Sequence, residues 1–311
     1  MSTSDLQPQL EFVSCPHPEG QHRMAYWRWG DAQARRVVVC VHGLTRQGRD
    51  FDRLAQALVA RSAEPLQVIC PDVVGRGRSE WLSDPMGYQI PQYAADMLAL
   101  LAQLRAQLRA QCGAELTSLD WVGTSMGGLI GMVLAGQPGL PLPSPIRRLV
   151  LNDVGPAIAW VSVERMQQYV GRYAQYPNLD EAAAAMWALS NGFGPVSTEV
   201  WRELSSHMIR PCADGAVTLH YDPAIGVPVR AMTPETAQAG EAALWAMYEQ
   251  IQSKTLLIRG ADSDLLTPET ALAMTVRGPC AQLETWAGFG HAPTLTGESQ
   301  IDVVANFLLA T

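Results

Sequence analysis

The sequence has few positive charges: its 311 residues include 22 lysines and arginines against 30 aspartates and glutamates, a formal net charge of −8. A surface for nucleic acid or an anionic membrane needs clustered lysine and arginine, so neither is an expected partner. The sequence also lacks a long apolar run, and the segment MSTSDLQPQLEF has neither the basic start nor the apolar stretch of a secretory signal. These absences predict a globular cytoplasmic protein that acts on a small molecule.

Metal-ligand spacings are missing among the cysteines as well. Two of the six cysteines lie in strand-like apolar runs, VVVCVHG and QVICPD. We therefore predict reduced, mostly buried thiols, and we expect neither a metal nor a cofactor. The positions are Cys15, Cys40, Cys70, Cys112, Cys212 and Cys280.

The first half of the chain alternates short apolar runs with longer helical patterns, up to about residue 155. This alternation is typical of β-α units that build a mostly parallel sheet flanked by helices. In the segment 91–111 the apolar residues recur at helical spacing, and Pro91 suits a first turn. The predicted strands cover 37–41, 66–70, 119–122 and 146–153, and the predicted helices cover 51–60, 91–111 and 126–135.

The alternation stops between residues 156 and 250, where the sequence predicts several helices, such as DEAAAAMWALS and TEVWRELSSHMI, without strands between them. It resumes with the predicted strand KTLLIRG (254–260) and ends with a predicted helix from about Glu298 to Leu309. A helical block inserted into an α/β chain is expected to cover the carboxyl edge of the sheet, where ligands bind. We predict an α/β core of residues 1–155 and 251–311 and a helical cap of residues 156–250.

The segment DWVGTSMGGLIG (120–131) contains the pattern G-x-S-x-G, with Ser125 between Gly123 and Gly127. In a tight strand-to-helix turn, small flanking residues let the serine hydroxyl stand out at the edge of the sheet. Here a predicted strand precedes the pattern and a predicted helix follows it. Ser125 is therefore the candidate nucleophile, and the alternative is a structural turn rich in glycine.

A serine hydroxyl is a poor nucleophile at neutral pH, so it needs a histidine base. His291 follows the last predicted strand in AGFGHAPTL, where glycines give the loop the freedom to orient the ring. His291 is the candidate base and His220 is the alternative. For His42, which directly follows a strand, we prefer a structural role beside a tight turn.

The base in turn needs a carboxylate to orient it. Asp264 lies just past a predicted strand in IRGADSDLLTPE, and it is the candidate. Asp262 in the same loop and Asp153 at the end of the strand IRRLVLND remain alternatives, and a capping or loop role is the structural explanation for each. The order Ser125, Asp264, His291 is the one expected for a single serine-hydrolase scaffold.

As a set, these segments resemble the α/β-hydrolase fold superfamily. The resemblance covers nearly the whole chain: HGL at 42–44, D-x-x-G-x-G-x-S from Asp72 to Ser79, the Ser125 pattern, R-G-A-D-S-D-L-L at 259–266 and G-F-G-H at 288–291. It implies an α/β-hydrolase fold with an inserted helical cap. It also implies that the backbone N–H groups of Leu44 and Met126 form an oxyanion hole. Members with an aspartate nucleophile are disfavoured, because this chain has serine at that position.

We therefore predict a cofactor-independent serine hydrolase, a monomer or homodimer, that cleaves a small or medium, apolar carboxylic ester, thioester or lactone through an acyl-enzyme on Ser125. Two other functions remain open. A carbon–carbon bond hydrolase acting on a ring-cleavage diketone would use the same triad, and a ligand-binding receptor with slow turnover would retain it.

Four residues are candidates for substrate binding: Arg46, Trp160, Trp187 and His220. Arg46 follows the expected oxyanion loop and suits a substrate carboxylate, although a solvated surface arginine is the simpler explanation. The tryptophans belong to a group of bulky residues in the predicted cap whose simplest role is packing. The loop from Gly75 to Arg78 contains neither a P-loop nor G-x-G-x-x-G, so we assign it a structural role.

Overall fold

A computed structural model describes residues 6–310. The prediction that the segment MSTSDLQPQLEF is not a secretory signal falls partly outside this range, because its first five residues are not described. Residue 311 also lies outside it. The strands are, in chain order, β1 (Gln9–His17), β2 (Gly20–Gly30), β3 (Arg36–Val41), β4 (Leu66–Pro71), β5 (Ser118–Thr124), β6 (Ile146–Asn152), β7 (Gln175–Tyr176), β8 (Ile209–Pro211), β9 (Val217–Leu219), β10 (Lys254–Gly260) and β11 (Gln282–Trp286).

Eight of these strands form the central sheet, in the order β1-β2-β4-β3-β5-β6-β10-β11. The pairs β1–β2 and β2–β4 are antiparallel, and the remaining neighbours are parallel. The predicted α/β-hydrolase fold with its mostly parallel sheet is confirmed. Because parallel strands end at the same edge, the loops that follow β3, β5, β6 and β10 lie side by side there.

The helices are α1 (Asp52–Arg61), α2 (Ile90–Cys112), α3 (Met126–Gly136), α4 (Trp160–Tyr169), α5 (Leu179–Ser190), α6 (Thr198–His207), α7 (Gly226–Ala231), α8 (Pro234–Tyr248), α9 (Pro268–Val276) and α10 (Glu298–Leu309). The helix predicted for 91–111 is α2, and its apolar stripe from Tyr93 to Leu108 is buried. Pro91 lies in its first turn, where a missing N–H costs no hydrogen bond.

The N-terminal hairpin of β1 and β2 was not predicted. Its outward positions carry charged and polar side chains, such as Glu11 and Arg28, which contact each other across the pair. An antiparallel pair at the edge of a sheet exposes one face to water, so its apolar residues do not form the continuous run that indicates a buried strand.

The segment 156–250, which we call the insertion, contains α4 to α8 and a small antiparallel sheet in the order β7-β9-β8. The expectation of helices without strands was therefore incomplete. These strands have only two or three residues each, too few for a recognisable alternation pattern. An isolated antiparallel bridge between Arg76 and Tyr221 joins the insertion to the loop after β4.

The cysteines are less buried than predicted. Cys15, Cys40 and Cys70 are buried in the core, whereas Cys112 and Cys280 are exposed and Cys212 is intermediate. Strand positions bury the first three, and the others lie at a helix end or in loops. Among residues 6–310, no helix is both long enough and apolar enough to span a membrane.

Candidate active site

Ser125 lies on a sharp turn between β5 and α3. Its backbone has φ 52° and ψ −117°, a region that residues with a side chain rarely occupy. The carbonyl of Ser125 accepts from the N–H groups of Gly128 (2.8 Å) and Leu129 (3.1 Å), so the helix begins directly after it. Such a backbone is retained when the surrounding structure holds it, and here it lifts the hydroxyl out of the sheet.

The neighbouring glycines are needed because the backbone packs closely around this turn. A Cβ on Gly123 would lie 2.3 Å from the carbonyl oxygen of Gly127, and one on Gly127 would lie 2.0 Å from that of Val41. Neither position can hold a larger residue without moving the main chain. The alternative of a merely flexible glycine turn is therefore disfavoured, because these glycines meet steric demands.

His291 lies between the serine hydroxyl and a carboxylate. Its Nε2 is 2.9 Å from Ser125 Oγ, and its Nδ1 is 2.8 Å from Asp153 Oδ2. A carboxylate oxygen accepts, so the ring proton belongs on Nδ1, and Nε2 is left to accept from the hydroxyl. The structure brings together Ser125 and His291, as expected, but the carboxylate is Asp153.

The expectation that Asp264 contacts His291 is wrong. Asp264 lies on the surface and accepts from Arg165 of α4, with Nε at 2.8 Å and Nη2 at 3.0 Å. Asp262 is also exposed. Asp153 is completely buried, and it accepts from the N–H of Gly260 at 2.9 Å and from Ser263 Oγ at 2.6 Å, in addition to contacting His291.

The strand register explains the choice of carboxylate. Thr124 on β5 pairs with Asn152 on β6, so Ser125 and Asp153 are the residues that follow two directly paired positions. Ile258 on β10 pairs with the same Asn152, and Asp264 lies six positions beyond it in an exposed turn. One local signal was available for Asp153, which directly follows a buried apolar strand, whereas Asp264 follows a polar stretch, but that signal does not show that β6 lies beside β5.

The two amides expected to form an oxyanion hole belong to Met126, which directly follows Ser125, and to Leu44 in the loop after β3. Within residues 6–310 neither the Leu44 N–H nor the Met126 N–H donates a hydrogen bond. Met126 opens α3, where the first N–H groups have no partner inside the helix. A Cβ on Gly43 would be 3.7 Å from Ser125 Cβ, so the loop after β3 closely approaches the serine turn.

His42 has the structural role expected for it. Its Nε2 accepts from the N–H of Val73 at 3.0 Å, so Nδ1 carries the proton and donates to the carbonyl of Gly43 at 2.7 Å. Burial lowers the pKa of His42 to about 3, which keeps the ring neutral. Because the Gly43 carbonyl and the Leu44 N–H belong to one planar peptide unit, this bond also sets the direction of the Leu44 N–H.

A cavity of about 360 Å³ opens onto Ser125 and His291. Its lining is mostly apolar and comes largely from the insertion. Among the lining residues are Met166, Tyr169, Met186, Leu189, Phe193 and Leu204. Its volume is typical of sites for small organic molecules.

Of the four candidate substrate-binding residues, only Arg46 lines this cavity. Trp187 packs edge-on against Trp201 at 5.0 Å, inside the apolar cluster of the insertion. Trp160, at the start of α4, is not among the lining residues. His220 lines a separate cavity of about 350 Å³, and burial, with nearby Arg78 and Arg210, lowers its pKa to about 4. The expected contributions of Trp160, Trp187 and His220 to the substrate pocket are therefore wrong.

Backbone contacts join the insertion to the loop that carries His291. The N–H of Gly290 donates to the carbonyl of Gly192 at 2.5 Å. A Cβ on Gly194 would lie 2.0 Å from the ring of Phe289, so this stretch fits closely against the loop. The position of the imidazole thus depends on the insertion as well as on the sheet.

One group of potential metal ligands occurs in the described part of the chain, formed by Cys15, His22 and Asp96. All three are buried, and His22 Nε2 lies 3.0 Å from Asp96 Oδ2. Burial raises the pKa of the Cys15 thiol well above its usual range, which favours the protonated form over the thiolate that binds metals. These side chains belong to β1, β2 and α2, and none of them lines the cavity at Ser125.

Comparison with known proteins identifies the family of the chain. The alpha/beta hydrolase family matches residues 38–307. A 3-hydroxybutyrate-oligomer hydrolase from Cupriavidus necator is 47% identical over 303 residues, which are 96% of this chain and 97% of that protein. A crystal structure of an alpha/beta hydrolase from Novosphingobium aromaticivorans is 31% identical, with a TM-score of 0.79 over 97% of this chain and 98% of the other.

A more distant relative, the lipase LipV from Mycobacterium tuberculosis, is 29% identical over 184 residues, which are 58% of this chain and 60% of that protein. The family match spans most of the chain, and the similarity to the Cupriavidus hydrolase spans nearly all of it. The chain belongs to the alpha/beta hydrolase family, and it is an ester-cleaving enzyme.

Proposed function

We propose that the protein is a serine hydrolase that cleaves short linear oligomers of 3-hydroxybutyrate through an acyl-enzyme on Ser125. The observation that carries the proposal is the pair of contacts on one imidazole, 2.9 Å to the serine hydroxyl and 2.8 Å to a buried carboxylate. This arrangement gives a weak nucleophile the base that it needs, and it holds that base in the correct tautomer.

The reaction follows from these contacts. His291 Nε2 takes the proton as Ser125 Oγ bonds to the ester carbonyl carbon, and the amides of Leu44 and Met126 donate to the oxyanion that develops. The intermediate collapses, and His291 gives the proton to the departing 3-hydroxyl oxygen of the neighbouring unit. Water then attacks the acyl-enzyme with His291 again as base, which releases the free acid and restores Ser125.

The insertion acts in this proposal as a cap over the site. Its apolar side chains line the cavity, and they suit the methyl and methylene groups of a 3-hydroxybutyryl unit. Excluding water from this space would strengthen the interaction between the two amides and the oxyanion. The boundaries predicted for the cap, 156 and 250, fall where the chain leaves the central sheet after β6 and before β10.

Charges at the cavity favour a substrate that is a free acid. Three arginines line it, Arg46, Arg165 and Arg172, against one carboxylate, Asp50. Arg46 pairs with Asp50, and Arg165 pairs with Asp264 outside the lining. Arg172 forms no ion pair within residues 6–310, although the whole chain has a net charge of −8. A linear oligomer ends in a carboxylate that an arginine at the opening would attract.

The proposal is tested by release of 3-hydroxybutyrate from the dimer and trimer. Ser125→Ala should abolish the release and also labelling by a fluorophosphonate probe. Ser190 lines the same cavity without contacting His291, so Ser190→Ala is the matched control and should retain both. Release that persists at the wild-type rate in Ser125→Ala would refute the serine mechanism.

The substrate is tested separately from the mechanism. The free-acid trimer should have a lower KM than its methyl ester, and Arg172→Met should remove that difference. Rapid turnover of aryl esters without turnover of the oligomers would refute the substrate and leave the mechanism standing. Cleavage of ring-cleavage diketones at a higher kcat/KM than any ester would favour the carbon–carbon hydrolase, and stoichiometric labelling without turnover would favour the receptor.

A further inference from the structure

Arg76, in the loop between β4 and α2, is completely buried. Its Nε donates to the carbonyl of Leu44 at 2.8 Å, and its Nη1 donates to the carbonyl of Val74 at 2.7 Å and to the hydroxyl of Tyr93 at 3.0 Å. Its Nη2 lies 3.5 Å from Met126 Sδ. The guanidinium is thus surrounded by fixed acceptors on every side.

This buried charge has no carboxylate partner within the described range 6–310, where the ion pairs involve other arginines or histidines. The rings of Tyr93 and Tyr88 lie 4.9 Å and 5.8 Å from the guanidinium carbon, so aromatic faces and neutral acceptors replace an anion. Burying a charge without an opposite charge costs several kcal/mol. A residue needed only to fill this space would be apolar.

Two contacts of Arg76 connect it to the residues of the expected oxyanion hole. These contacts are with the carbonyl of Leu44 and the side chain of Met126, the two residues whose backbone N–H groups are the expected oxyanion donors. We propose that Arg76 is a positioning residue that holds the two oxyanion donors at a fixed spacing. This inference rests on the proposed function, because it assumes that the Leu44 and Met126 amides meet an oxyanion.

The peptide units around Leu44 explain why two contacts are needed. His42 fixes the Gly43–Leu44 peptide through the Gly43 carbonyl, and Arg76 fixes the next peptide through the Leu44 carbonyl. Because the peptide units on both sides of Leu44 are held by hydrogen bonds, the Leu44 N–H keeps one direction. The planar guanidinium reaches Leu44 and Met126 together, which a lysine ammonium with its single nitrogen does not.

The test compares Arg76→Met with Arg148→Met. Arg148 is the matched control, because it too is buried and donates to a backbone carbonyl, that of Leu308, but it lies near the start of β6, at the opposite edge of the sheet from Ser125. We expect Arg76→Met to lower kcat on an ester about 100-fold with KM within about 3-fold of wild type. The affinity for a trifluoromethyl ketone, which forms an oxyanion with Ser125, should fall in the same proportion. Arg148→Met should lower the melting temperature and leave both quantities near wild type.

Arg76→Lys is the second variant, and it decides the matter if the methionine variant does not fold. Its kcat should fall about 10-fold with an unchanged melting temperature, since lysine keeps the charge and loses the fork. Wild-type kcat in folded Arg76→Met or in Arg76→Lys would overturn the inference, as would an equal loss in Arg148→Met. Those outcomes leave Ser125-dependent hydrolysis intact in the wild type, so failure of the inference is distinguishable from failure of the proposed function.

Discussion

The loops that follow β6 and β10 both offer a carboxylate at the catalytic edge of the sheet, yet they use it differently. Asp153, after β6, is buried and contacts His291. Asp264, after β10, is exposed and pairs with Arg165 of the insertion. The β10 loop still serves the site, since its Ser263 and Gly260 both donate to Asp153.

This difference shows that a strand end alone does not define a catalytic carboxylate. Asp153 combines a strand next to the serine strand with a position immediately after the last paired residue. Asp264 lies one strand further away, in a turn that faces water. Asp153 contacts His291 because its strand lies beside β5, whereas the loop after β10 contributes a hydrogen bond to Asp153.

The largest effect that tests this comparison is expected from Asp153→Asn. An amide cannot hold the Nδ1 proton of His291 as a carboxylate does, so kcat should fall about 10⁴-fold. Asp264→Asn is the control and should stay within about 3-fold of wild type. Steady-state hydrolysis of an ester measures kcat for both variants. A larger loss of kcat in Asp264→Asn than in Asp153→Asn would show that Asp264 is the carboxylate that orients His291.

Ser263→Ala should have an intermediate effect. Its hydroxyl donates to Asp153 Oδ2 at 2.6 Å, so its loss leaves a buried carboxylate with one fewer donor and less fixed in position. We expect kcat to fall about 10-fold while KM stays near wild type, from a loss of roughly 1–2 kcal/mol. Ser62→Ala is the control, because this half-buried serine lies between α1 and the start of β4, away from the edge where Ser125 lies. An unchanged kcat would mean that the β10 loop does not support the acid.

The smallest effect is expected from breaking the ion pair of Arg165 and Asp264. Both side chains are about two-fifths exposed, at 39% and 43%, so solvent screens the pair. A double-mutant cycle of Arg165→Met and Asp264→Asn, followed by chemical denaturation, should give a coupling of at most about 1 kcal/mol. A coupling several times larger would show that this pair fixes the insertion to the core.

Local sequence patterns predicted much of the fold. The helix α2 and the strands β3 to β6 match their predicted bounds to within a few residues, because buried strands and an amphipathic helix leave strong periodic signals. The hairpin of β1 and β2 and the short strands of the insertion were missed. One face of the hairpin is exposed to water, which interrupts its apolar pattern, and the strands of the insertion have only two or three residues each.

The site, too, was predicted only in part. The contact between Ser125 and His291 was predicted, because a strand–turn–helix pattern and a glycine-rich loop identify both residues locally. The carboxylate was not, because its choice depends on which strand lies beside β5 in space. Trp187 and His220 were proposed for the pocket from their residue types alone. In the structure Trp187 packs against Trp201 and His220 lines the second cavity. The catalytic roles of Ser125 and His291 and the cap role of residues 156–250 are still predictions.

The hydrogen bond between Gly290 and Gly192 has a mechanical consequence. His291 follows Gly290, whose amide is bonded to the insertion, so a displacement of the insertion that widened the cavity would also pull on the backbone next to the imidazole. Ligand entry by such a displacement would therefore also change the alignment of the imidazole with Ser125 Oγ.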